Sequence, residues 1–198
     1  MVLLTIPPRA SERRALAWAA TQQAWIEAAI AEVPAPAPLA PGSIVPLRGE
    51  DHVVTWQPGA ARTVKVEPGR LVTGGPADLV AARLLRWLKA QAVQLLDRET
   101  REFAAKAGVE FSRVGIGDPV SRWGSCSVSG SIRYSWRLIL APDLVRRATV
   151  AHEVAHLVHM DHSRKFHALV ERLLGDDPRP ARLWLRRHGA SLHRFGRH

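Results

Sequence analysis

The sequence is poor in cysteine and has no long apolar run. Cys126 is the only cysteine among 198 residues, so the chain cannot form an intrachain disulfide, and this suits a reducing compartment. The apolar residues 2–4 that precede Pro7 are too few for the core of a signal peptide. No later stretch supplies the roughly 18 uncharged apolar residues that a membrane span requires. We therefore expect a cytoplasmic protein without membrane contact.

Acidic residues are scarce at the C-terminus. The formal net charge is +10, and no Asp or Glu follows Asp177. The arginines beyond that residue are Arg179, Arg182, Arg186, Arg187, Arg194 and Arg197. Such a surface attracts polyanions through counterion release, which makes nucleic acid a candidate partner. Against this stands the absence of a basic groove interleaved with aromatic residues, and surface arginines are often merely solvated.

The composition nevertheless predicts a folded core. Hydrophobic residues make up 46% of the chain, and seven residues are tryptophan. A chain of this length can bury a sizeable core as one domain. Prolines dominate residues 34–42, which we interpret as an extended connector. Because residues 1–33 are too few to form a core alone, we predict a single domain over residues 1–198.

Local patterns predict both helices and strands. Ser11 can cap a first helix that runs through Trp18 and Trp25 to Ile30. Residues 44–72 contain short apolar runs separated by turn residues and predict a small antiparallel meander, with His52 on its surface.

The second half of the chain begins with the longest helical pattern. It opens at Asp78 and closes at Gly108. Residues 120–140 predict a hairpin that turns near Ser129 and Gly130, and Pro142 followed by an acid starts another helix.

That last helix carries the pattern H-E-x-x-H. His152 and His156 are four residues apart, so both imidazoles lie on one helix face and can reach one metal ion. Glu153 can reach a water on the open side of the metal without binding the metal itself. A metal held in this way lowers the pKa of water, and the glutamate can take the proton as the water attacks a carbonyl.

A catalytic zinc site needs a third protein ligand. His159 lies on the same face but roughly 10 Å further along the helix axis than His152 at 1.5 Å per residue. His162 can return to the metal if the helix breaks near Met160, and Ser163 can then cap a further helix that ends at Gly175. We therefore predict one Zn²⁺ bound by His152, His156 and His162; manganese, cobalt and nickel also suit such ligands.

Three stretches together resemble the YgjP-like metallopeptidase domain, which is related to the SprT and WLM groups. They are RWGSCS at 122–127, SWRLILAP at 135–142 and the histidine block that ends in HSRKF at 162–166. The resemblance extends more weakly upstream to nearly the whole chain. One departure is His167, where many relatives carry tryptophan.

The resemblance implies an α+β, zincin-like fold of the minigluzincin type, with helices packed on a small mixed sheet. It also implies zinc ligands at His152, His156 and His162, with Glu153 as the catalytic base. An edge strand in the 123–136 hairpin would border the cleft and bind an extended peptide. On this interpretation residues 1–76 form the N-terminal helix, connector and meander, and residues 77–198 form the catalytic core.

The leading hypothesis is thus a zinc-dependent metallopeptidase that acts on a peptide or protein. Two alternatives stay open at this stage. Cys126 could replace a histidine as ligand, as in peptide deformylases, which hydrolyse formyl amides. The chain could also be a basic nucleic-acid-binding protein with a structural zinc, although Glu153 argues against that function because structural sites have no neighbouring base.

Overall fold

The computed structural model describes residues 4–31 and 35–196. Residues 2 and 3, Pro34 and Arg197, which entered the predictions above, lie outside that part of the chain. The chain divides into two compact units, Met1–Ala35 and Pro36–His198. The single domain over residues 1–198 therefore stays a prediction.

The first unit contains two helices where the sequence predicted one. They are α1 (Glu12–Thr21) and α2 (Gln23–Ala31). Ser11 caps α1 as expected, but the backbone leaves helical geometry at Gln22, and the Thr21 hydroxyl donates to the Trp18 carbonyl at 2.6 Å. This side-chain hydrogen bond competes with the backbone hydrogen bonds of the helix. Trp18 and Trp25, two of the seven tryptophans that indicated a folded core, are 60% and 68% exposed.

The second unit begins with a four-stranded mixed sheet. Its strands are β1 (Ile44–Leu47), β2 (Glu50–Trp56), β3 (Lys65–Glu67) and β4 (Arg70–Thr73), in the order β1-β2-β4-β3. The predicted antiparallel meander is wrong in one pairing, because β2 and β4 run parallel. A tight turn at Gly69, with φ of 67°, joins β3 to β4, whereas the longer loop 57–64 carries β3 to the sheet edge.

His52 is buried and not on the surface as predicted. His52 and Val54 are two positions apart and lie on the same face of β2, and both side chains are buried. Its Nδ1 lies 2.8 Å from the Glu50 carbonyl. The pattern of short strands could not reveal which face of the sheet would be covered.

A second, smaller mixed sheet follows the long helix. After a 3-10 turn, α3 spans Val80–Ala107 and ends at Gly108 in the left-handed conformation. The strands β5 (Arg113–Gly117), β6 (Gly124–Cys126) and β7 (Ser131–Ser135) form a sheet with the order β5-β7-β6. The antiparallel β6–β7 pair confirms the predicted hairpin, and β5 joins β7 in parallel.

Three helices complete the unit: α4 (Asp143–Ala155), α5 (Arg164–Leu174) and α6 (Arg179–Leu192). The caps predicted for α5 are present: the Phe166 amide donates to Ser163 Oγ at 3.4 Å, and Gly175 is left-handed. In the part of the chain that the structure describes, six α-helices and two mixed sheets confirm the α+β class. None of the described helices is long and apolar enough to cross a membrane.

Candidate metal centre

The structure brings three histidines together at the end of α4. His152 lies in the last turn of that helix, and His156 is the residue at which it stops. The chain then turns and returns His162 just before α5. One ring nitrogen from each imidazole lies within 4.8 Å of the others, and the Nε2 atoms of His152 and His162 are 3.2 Å apart. In the described part of the chain, this is the one cluster of His, Cys or acidic residues with metal-site spacing.

The spacing and orientation of these rings suit a bound metal ion. A tetrahedral zinc with bonds of 2.0–2.1 Å would hold its ligand nitrogens about 3.3 Å apart. His156 Nδ1 lies 3.0 Å from the carbonyl oxygen of His159, so this nitrogen can donate and leave Nε2 for a metal. His159 thus contributes its backbone to the site, and its imidazole is outside the cluster.

Phe166 packs against all three imidazoles of the cluster. Its ring centroid lies 4.5–4.9 Å from those of all three imidazoles, and the side chain is fully buried. Burial, followed by the neighbouring imidazoles, lowers the pKa of His152 to about 4. His152 is therefore neutral at physiological pH, which is the protonation state that binds metals. In the sequence, Phe166 stood out only as the last residue of the HSRKF stretch at 162–166.

Glu153 is buried beside the cluster, with 5% of its surface exposed. No hydrogen bond to its carboxyl group comes from any described residue. Burial raises the pKa of Glu153 to about 7, and the positive charge of Arg122 opposes that shift. A bound cation would lower this pKa by favouring the carboxylate.

Gly124 explains how β6 can approach Glu153 so closely. A Cβ atom built at Gly124 would lie 2.4 Å from Glu153 Oε1 and 2.6 Å from its Cγ. Only glycine lets the strand backbone pass over the carboxyl group without displacing it. The sequence contained this signal in RWGSCS, but nothing local identified Glu153 as the neighbour.

We predict that Gly124→Ala displaces Glu153 and lowers any hydrolytic activity at least about tenfold, since a 1 Å misplacement can cost about a hundredfold in rate. Metal binding should persist because the three atoms nearest to a Cβ at Gly124 all belong to Glu153 and none to a histidine. Gly115→Ala is the matched control, because a Cβ on β5 at that position meets nothing within 4 Å. Equal activity in both variants would contradict the prediction.

The aromatic residues and the cysteine of segment 123–136 do not belong to the histidine cluster. Tyr134, which pairs with Gly124 across the two strands β6 and β7, is fully buried, and its hydroxyl lies 3.0 Å from Thr100 Oγ1. Burial raises the pKa of the Cys126 thiol to about 11, with a further contribution from Glu153, which disfavours the thiolate. Trp136 is buried, whereas Trp123 lines the cleft beside Glu153.

Comparison with known proteins decides the family. Residues 1–188 match the model of the family described as "YgjP-like, metallopeptidase domain". The chain belongs to the YgjP-like family. No curated protein and no solved structure matches it.

Membership in the YgjP-like family confirms the predicted resemblance and the zincin-like fold. It supports a metallopeptidase in general, hence a hydrolase that depends on a metal and acts on peptides or proteins. It gives no support to nucleic-acid binding. The histidine cluster fits the metal that a YgjP-like metallopeptidase requires.

Proposed function

We propose that this chain is a zinc-dependent peptidase in which His152, His156 and His162 hold one zinc ion and Glu153 is the general base. The observation that carries the proposal is the juxtaposition of three ligand nitrogens with a buried carboxyl group. His152 and Glu153 line the same cleft. When bound, zinc would supply Lewis-acid chemistry, polarising a carbonyl and making water more acidic.

Glu153 takes a proton from the attacking water and passes it to the leaving amine. Its position supports this role, because it follows His152 directly in α4 and lies close to the β6 backbone at Gly124. Burial shields the carboxyl group from bulk solvent, so the proton is exchanged with groups in the cleft.

The β6 strand supports a peptide as substrate. It is an edge strand, paired on one side with β7. An extended peptide that adds to its free edge would pass Gly124 and so lie against Glu153. Main-chain hydrogen bonds to β6 would then position a peptide carbonyl without dependence on sequence.

The test is zinc removal and return. The purified chain is stripped with a chelator, reloaded with zinc and incubated with a peptide library whose products are identified by mass spectrometry. We expect one zinc per chain and cleavage by the reloaded form alone. Cys126→Ala should keep the same zinc content, which would remove the deformylase-like ligand set. A folded chain that takes up no divalent cation would overturn the proposal.

A further inference from the structure

A cleft of about 280 Å³ opens beside His152 and Glu153. Its walls are mainly apolar and come from α4, α5 and α6, through Val145, Ala148, Val170, Ala181 and Leu185. An apolar cleft of this size beside a reacting centre can hold a large side chain.

The charged groups that line the cleft are mostly basic. Arg122 precedes β6 and Arg182 lies on α6, whereas Glu153 is the one carboxyl group among the lining residues. Both arginines are exposed, and within residues 4–31 and 35–196 neither forms an ion pair with an acid. The positive charge of Arg182 is one of the causes that lower the pKa of His152.

The nearby acid Asp177 does not neutralise Arg182. Its carboxylate accepts hydrogen bonds from the Arg179 amide at 2.9 Å and from Arg179 Nε at 2.7 Å. Arg182 interacts with that carboxylate only through space. A cationic group without a partner at the rim of an apolar cleft attracts an anionic group on a ligand.

We propose that this cleft holds the substrate residue next to the scissile bond and that Arg182 selects substrates with a carboxylate close to that bond. The inference rests on the proposed peptidase function and specifies its substrate class. The apolar walls accept the carbon skeleton, while Arg182, assisted by Arg122, pairs with the carboxylate. That carboxylate can belong to an Asp or Glu side chain or to the C-terminus of the peptide, and both present the same chemistry.

Cleavage-site analysis tests the selection. The zinc-loaded full chain digests random synthetic peptides prepared with free and with amidated C-termini. We expect Asp or Glu to be enriched about three- to fivefold within two residues of the cleaved bonds, in keeping with one partly exposed ion pair. Enrichment at internal bonds identifies the side chain as the source, and cleavage near the end that amidation abolishes identifies the terminal carboxylate.

The variants Arg182→Glu and Arg187→Glu change the net charge equally on one helix. Arg187 is exposed and does not line the cleft. Arg182→Glu should abolish or reverse the acidic preference, while Arg187→Glu should retain it. An unchanged preference in Arg182→Glu, or cleavage by the parent without acidic preference, would overturn the inference and leave the peptidase function standing.

A binding measurement separates this inference from hydrolysis. The metal-free chain is titrated with acetyl-Phe-Glu-amide and with acetyl-Phe-Gln-amide while NMR chemical shifts are followed. The parent should bind the acidic peptide about three- to fivefold more tightly than the neutral one. The Arg182→Glu variant should bind the acidic peptide no more tightly than the neutral one. If the chain discriminates between the peptides but cleaves nothing when loaded with zinc, the proposed function fails and the charge selection stands. Equal affinities in the parent refute the selection.

Discussion

A Glu153→Gln chain is expected to bind zinc as the parent does and to hydrolyse peptides about a hundred- to ten-thousandfold more slowly, the usual contribution of a general base. Glutamine has nearly the same shape as glutamate, so it fits beneath Gly124, where the space is tight. Its amide cannot accept a proton at neutral pH. The loss should therefore appear in kcat, with zinc content measured in parallel.

Glu171→Gln is the matched control for that experiment. Glu171 lies on the exposed side of α5, so the variant makes the same chemical change away from the cleft. It should keep parental activity. Should the Glu153→Gln chain hydrolyse peptides as fast as this control, Glu153 is not the base, and the water must be activated by another group.

The parts of the fold that the sequence predicted well are governed by local interactions. The helix α5 was bounded correctly because Ser163 and Gly175 act within one turn of their own helix ends. The β6–β7 hairpin follows from a turn near Gly130, which is left-handed. The proximity of His152 and His156 is likewise set by helical periodicity alone.

The parts that the sequence did not predict depend on contacts between distant segments. The parallel pairing of β2 with β4 and the burial of His52 depend on where the chain is routed after a loop. The contact of Gly124 with Glu153 joins segments 29 positions apart by residue number. Neither the alternation of polar and apolar residues nor a helix cap within one segment indicates which distant segment it will contact. Hydrophobic pattern and propensity therefore cannot predict the contact of Gly124 with Glu153.

The helix that carries His152 and Glu153 is joined to α3 by a buried ion pair. Arg146 donates two hydrogen bonds to Glu99, at 2.8 and 3.0 Å, and both side chains are almost completely buried. Arg146 also pairs with Asp143 at 2.7 Å. Because the fork of the guanidinium satisfies both carboxylate oxygens, the pair fixes the rotation of α4 relative to α3.

Arg146→Met is expected to lower the free energy of unfolding by about 3–5 kcal/mol, because it leaves the Glu99 carboxylate buried without its main partner. The double variant Glu99→Leu/Arg146→Met should recover most of that loss, since no buried charge then remains at the pair. Arg101→Met removes an exposed partner of Asp97 on the same long helix and should cost less than about 1 kcal/mol. Urea-induced unfolding of the parent and the three variants measures these changes in the free energy of unfolding. A loss for Arg146→Met no larger than that for Arg101→Met would show that α4, and with it the metal centre, is held to α3 by apolar packing alone.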